Sequence, residues 1–160
     1  MTEPELKNTI LQYLEDCNTL SLATTRDGIA HAASVFYVNR GFHLYFLSSP
    51  TSRHGENISL NPQVSATINA DYSAWDQIKG IQLEGRVHNV GGILENARVA
   101  AAYVKKFPGV ADFLFSPEKL GRIIADKIGR VHFYHLEPRR VYFINNEAGF
   151  GHRDELVLEQ

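Results

Sequence analysis

From Thr19 onward, apolar runs rich in β-branched and aromatic residues are broken at short intervals by glycine-bearing turns. "TLSLATT" ends at "RDG", "IAHAASVFYV" ends at "NRG", and "FHLYFL" follows. Asp-Gly and Arg-Gly beside alternating apolar residues are hairpin signals, because such residues accept the backbone that a tight turn between twisted strands requires. Strands joined this closely run antiparallel. "VSATINA" is a fourth run and "IKGIQLEGRVHNV" a fifth, in which Ile81 and Leu83 alternate with Gln82 and Glu84. Gly85 within it predicts a bulge or a barrel corner. After the helical region the chain returns to strand with "RVHFYHLEP" and "RRVYFINN". Strands this apolar are best protected by closing the sheet on itself, which predicts a small barrel of about six strands.

Helices flank this β run. Thr2, Pro4 and Glu5 form a capping-box pattern, and Leu6, Ile10, Leu11 and Leu14 share one helical face, so a helix is expected from about Glu3 to Asp16. "GGILENARVAAAYVKKF" reads as a second helix stopped by Pro108, followed by shorter helical pieces in "GVADFLF" and "SPEKLGRIIADKI". The helical excursion spans about 92–128 within a single domain, residues 1–160.

Composition narrows function. A net charge of −2 gives no global attraction to nucleic acid or anionic membrane. The single cysteine, Cys17, excludes an internal disulfide. No apolar run approaches a bilayer span, and the N-terminus has neither the basic nor the apolar region of a secretory signal; a cytoplasmic protein is the expectation. The seven histidines show no helical i, i+4 pair and no H-E-x-x-H, and His132 and His135 point to opposite faces of a strand. No metal site is expected. Arg139-Arg140 and Lys105-Lys106 read as solvated pairs. No G-x-S-x-G elbow supports a hydrolase triad.

The corner "SSPTSRHGENI" combines hydroxyls with Arg53 and His54. A helix opening here aims free N–H groups toward Ser48, Ser49 and Ser52, and an arginine fork holds two phosphate oxygens at once. The same residues also fit a simple helix cap beside a solvated charge, and local chemistry leaves both open.

The order of these pieces resembles the FMN-binding split barrel of the pyridoxamine 5′-phosphate oxidase-like superfamily. "SRH…N…NP.VSATI" ahead of "IKGIQLEG" carries the likeness, together with the terminal "GFGHRDEL", over roughly residues 3–155. The resemblance implies an α+β, mainly β fold, a six-stranded antiparallel split barrel, working as a homodimer with FMN at the interface. It places Ala33, Ser34, Val35 and Phe36 along the flavin, and Leu47, Ser48 and Ser52 around the ribityl and phosphate groups. Arg53 and His54 take the positions of the family's Arg-Lys phosphate pair, so the lysine is replaced. Gln82 is the candidate for the isoalloxazine edge, and Trp75 for a shield over the flavin of the partner chain. Phe150, His152 and Arg153 fit either a lid or a tight turn. The family's substrate-phosphate lysine falls near Tyr37, and its C-terminal Arg/His motif has no counterpart here. The implied activity is therefore an FMN-dependent flavin reductase or oxidase with a small-molecule electron donor and an unknown substrate. A non-catalytic flavin-binding or sensing module, and a haem- or deazaflavin-using barrel, are the alternatives.

Overall fold

The computed structural model describes residues 1–115 and 131–158. The last of the expected helical pieces, "SPEKLGRIIADKI", lies outside them. Helix α1 runs Glu3–Asp16, with the Glu5 carboxylate accepting from the Thr2 N–H at 2.8 Å as the capping pattern requires. The strands are β1 Thr19–Arg26, β2 Ile29–Arg40, β3 His43–Ser48, β4 Gln63–Asn69, β5 Lys79–Asn89, β6 His132–Asn145 and β7 Arg153–Val157. Between them lie α2 Arg53–Leu60, α3 Ile93–Lys106 and α4 Val110–Phe115.

The turn chemistry acts as expected. Asp27 (φ 52°) and Gly28 (φ 75°) are both left-handed, and they lock β1 to β2 with Arg26 opposite Ile29. All sheet pairings are antiparallel, in the order β3-β2-β1-β4-β5-β6-β7, and β3 also pairs with β6. That contact closes six strands into a barrel; β7 is an additional strand on the far half of β6.

The tail departs from expectation in one respect. "RVHFYHLEP" and "RRVYFINN" form a single strand, β6, that passes through Pro138. The register slips between Glu84 and Gly85, which face Arg140 and Pro138, so Arg139 is the extra residue. A proline without an N–H is tolerated at such a bulge. Gly85 is required opposite it, since a Cβ there would meet the Glu137 carbonyl oxygen at 2.3 Å. The bulge bends β6, so that 132–136 pair with β3 and 140–144 with β7.

The barrel interior is packed by Leu20, Leu22, Tyr37, Phe46, Ile68, Ile81, Leu136 and Phe143, and α1 inserts Leu6, Ile10 and Leu14 into the same core. Each fully buried aliphatic side chain contributes about 1.5–3 kcal/mol. The Tyr37 hydroxyl, fully buried, donates to the Leu14 carbonyl at 2.7 Å and so ties β2 to the last turn of α1. Lys106 is not the solvated charge expected from its sequence. It is half-buried, donates to the Cys17 carbonyl at 2.6 Å and lies 4.5 Å from the Tyr37 ring centre. It thereby caps α1 from the end of α3. Arg140 is likewise engaged, with Glu155 at 3.3 Å.

Outside the barrel, α3 covers one side only. Val99 and Tyr103 pack on Val38 and Tyr45, with Leu47 and Phe133 beside them. Among the described residues, no helix covers the groove on the outer face of β1, β4, β5 and the second half of β6 in this way.

Candidate functional site

The site begins where two strands part. Strand β2 pairs with β1 over residues 29–36, but with β3 only over 37–40. Residues 29–36 therefore keep a second edge without a strand partner among the described residues, and β3 turns away into the corner at Ser48–Ser52. Tyr103 bridges the fork: its hydroxyl donates to the Phe36 carbonyl and accepts from the Leu47 N–H at 3.3 Å. Strand edges are normally covered, so this one requires a reason.

Helix α2 opens beside that edge. Ser52 is its N-cap, accepting from the Gly55 N–H at 3.1 Å and donating to the Ser49 carbonyl at 2.7 Å. Gly55 is buried against the corner: a Cβ would meet the Ser49 carbonyl oxygen at 2.5 Å and that of Pro50 at 2.9 Å. As in any helix, the first-turn N–H groups of Arg53 and His54 have no intrahelical acceptors. The exposed Arg53 guanidinium has no hydrogen-bond or ion-pair partner among the described residues. His54 packs inward, its Nε2 on the Ser48 hydroxyl and its ring stacked on His31 of β2 at 6.4 Å. Burial, and secondarily the neighbouring His31, holds its pKa below the ordinary imidazole value. His31 is a site neighbour that the sequence reading missed. Only the β2 register and the position of α2 bring it here.

The expected residues fall in three places. Leu47, Ser48, Ser52, Arg53 and His54 gather at the corner, and Ala33, Ser34, Val35 and Phe36 form the facing strand. On that strand Val35 is partly buried against the barrel core, whereas Ser34 and Phe36 are exposed, Phe36 meeting Phe107 edge-on at 5.2 Å. Only part of the quartet therefore offers side chains to a ligand; the free edge offers backbone.

Gln82 lies elsewhere, in a groove of about 550 Å³ on the uncovered outer face, lined by Ser21, Ala23, Ala32, Ser65, Thr67, Tyr142 and Arg153 among others. Its amide oxygen accepts from Arg153 at 3.3 Å, and that guanidinium lies 4.8 Å from the Tyr142 ring centre. Trp75 forms an exposed edge-to-face pair with Phe150 at 5.6 Å, and His152 pairs with Asp154 at 2.9 Å. Within one chain, then, corner, groove and aromatic pair remain separate features.

The histidines are not all scattered. His43, His135 and His88 are joined in a chain across β3, β6 and β5, at 2.8 and 3.0 Å between ring nitrogens. Burial and the two flanking imidazoles push the His135 pKa down to about 4.

A closed six-stranded antiparallel barrel forked between β2 and β3, with a hydroxyl-rich helix opening at the fork, defines the split-barrel class. The family model described as "Pyridoxamine 5'-phosphate oxidase" matches residues 6–145, and this chain belongs to that family. Among its relatives is the UPF0306 protein plu4501 of Photorhabdus laumondii, 36% identical over 102 residues that cover 62% of this chain and 70% of the relative. A UPF0306 protein of Klebsiella pneumoniae is 28% identical over 142 residues, covering 88% and 85%. A solved heme binding protein from Mycobacterium smegmatis shares the fold, with a TM-score of 0.70 at 19% identity, covering 92% of this chain and 57% of that one. No helix among the described residues is long and apolar enough to cross a membrane.

Proposed function

We propose that the protein binds FMN at the fork between β2 and β3 and acts as an FMN-dependent oxidoreductase. The observation that carries this reading is Arg53, unpartnered among the described residues, on the same first helical turn as two free N–H groups, a turn that reaches β2 through the His54–His31 contact. A phosphate monoester satisfies all three donors. Gly55 supports the fit, because the corner sits closer to α2 than any side chain would allow. A flat ring with hydrogen-bonding edges then suits the free backbone of residues 29–35, with Ser34 and Phe36 alongside.

When bound, the flavin supplies hydride or electron transfer. The chain's own contribution is to hold and orient it. Arg53, Ser48, Ser52 and His54 anchor the phosphate end, and the β2 edge fixes the ring. A homodimer completes the site, since Gln82, the groove and the Trp75–Phe150 pair lie apart from the corner within one chain. In a face-to-face pair they cover the partner's ring and exclude water. The electron donor and the substrate are small molecules that reach the ring between the two chains.

The test is the visible spectrum of the purified protein, followed by titration of the apoprotein with FMN. A bound flavin gives its two-band spectrum, and Arg53→Ala weakens FMN binding by about tenfold to a hundredfold, the value of a charge-assisted phosphate contact. A Soret band instead would assign the fork to haem, the ligand in the name of the Mycobacterium smegmatis neighbour. A colourless protein that ignores FMN overturns the reading.

A further inference from the structure

We propose that His43 and His135 form a binding site for a borderline divalent cation, Cu2+ or Ni2+, on the outer face of the barrel, with His88 as the group that orients His135. The site is separate from the fork and does not depend on the flavin reading. Three neighbouring strands each present one imidazole on the same face. His88 is directly opposite His135 in the β5–β6 register, and His43 is diagonal to it, since Tyr45 is the residue opposite His135 on β3.

The ring nitrogens define what the cluster holds. His43 Nδ1 is 2.8 Å from His135 Nε2, and His135 Nδ1 is 3.0 Å from His88 Nε2. His135 thus offers different nitrogens to its two neighbours, and no single point is reached by all three rings. One ion therefore takes two imidazoles. With metal–nitrogen bonds of about 2.0–2.1 Å, two ligands at a right angle are about 2.9 Å apart, whereas tetrahedral ligands are about 3.3–3.4 Å apart. The 2.8 Å spacing is that of an imidazole–imidazole hydrogen bond; once its proton leaves, the two nitrogens stand close to the right-angle spacing of the tetragonal geometry of Cu2+ or Ni2+, and donors that are all nitrogen disfavour Mg2+ and Ca2+.

The His43–His135 gap is the better of the two. His43 is exposed, so its ring turns freely to aim its lone pair at an ion, and solvent supplies the remaining ligands. His135 is held in place by stacking on Tyr45, 4.6 Å between centroids and 10° between planes. With its Nε2 on the ion, its Nδ1–H donates to His88 Nε2, the outer hydrogen bond that fixes a metal-bound imidazole. Glu137 and Glu95 offset part of the burial that disfavours positive charge at His135.

The experiment uses the full chain without an affinity tag, stripped with a chelator and titrated with Cu2+ by calorimetry. Electron paramagnetic resonance at substoichiometric loading reads the ligands. One saturable equivalent with nitrogen hyperfine structure from two imidazoles is expected. His43→Asn, an exposed change that leaves the core intact, and His135→Gln each weaken binding at least tenfold. His88→Gln weakens it by a smaller factor, and His152→Asn leaves it unchanged. Absence of a saturable equivalent, or wild-type affinity in His43→Asn, overturns the proposal, as does a larger loss in His88→Gln than in His43→Asn.

Discussion

Gly55→Ala sets two physical effects against each other at the corner. Alanine is the better helix former, so propensity alone raises stability by about 1 kcal/mol. The new Cβ, however, would stand 2.5 Å from the Ser49 carbonyl oxygen, which must retreat close to an ångström to reach ordinary contact. That oxygen cannot retreat alone, because it accepts from the Ser52 N–H at 3.1 Å and the Ser52 hydroxyl at 2.7 Å. Strain from overpacking costs about 1–3 kcal/mol, and each weakened hydrogen bond about 0.5–1.5. Sterics win, and a net loss of about 1–5 kcal/mol is expected after the propensity gain, toward the lower end where the two bonds are stretched rather than broken. In urea the midpoint falls with unchanged slope, and the melting temperature drops by roughly 5 °C. Because the corner also shapes the phosphate cradle, FMN affinity falls in the same variant. A protein that melts at or above the wild-type temperature would refute the close-approach account and leave propensity as the whole effect.

Two further expectations concern single side chains. Lys106→Met keeps the aliphatic stem over Tyr37 but removes the donor to the Cys17 carbonyl, so urea unfolding should show a loss of about 1–2 kcal/mol; equal midpoints would mean that α1 needs no cap from α3. The folded-state pKa of His54 lies below its unfolded value of 6.5, so the unfolded chain binds more protons as the pH falls through that region, and His54 stabilises the apoprotein less at about pH 5.5 than at about 7.5. His54→Gln should flatten that part of the pH dependence of stability. A bound phosphate reverses the sign by favouring the imidazolium, so FMN affinity measured by fluorescence quenching should rise as the pH falls across the same window; a pH-independent affinity would remove His54 from the anchor.

Much of this architecture is written locally. The Asp27-Gly28 turn and the α1 capping pattern act over a few residues, and each stands where local chemistry demands it. The alternation of Ile81 and Leu83 against Gln82 and Glu84 likewise sets which face of β5 is buried. Hence the helix limits, the hairpins and the presence of a barrel follow from short-range rules of φ, capping and period. Pro138 misled the reading of the tail because a proline normally ends a strand; its tolerance depends on Gly85, more than fifty residues earlier.

What the residue order could not decide is which distant side chains meet. The pairing of β3 with β6 closes the barrel, and the same pairing brings His135 between His43 and His88. The parting of β2 from β3 leaves one edge of β2 open among the described residues, and the placement of α2 beside it stacks His31 on His54. The burial of Lys106 depends on where the end of α3 comes to rest. These encounters leave no periodic trace in the chain, since they depend on register, bend and packing summed over the whole sheet. Local chemistry names the elements; only the closed barrel determines which of their faces become neighbours.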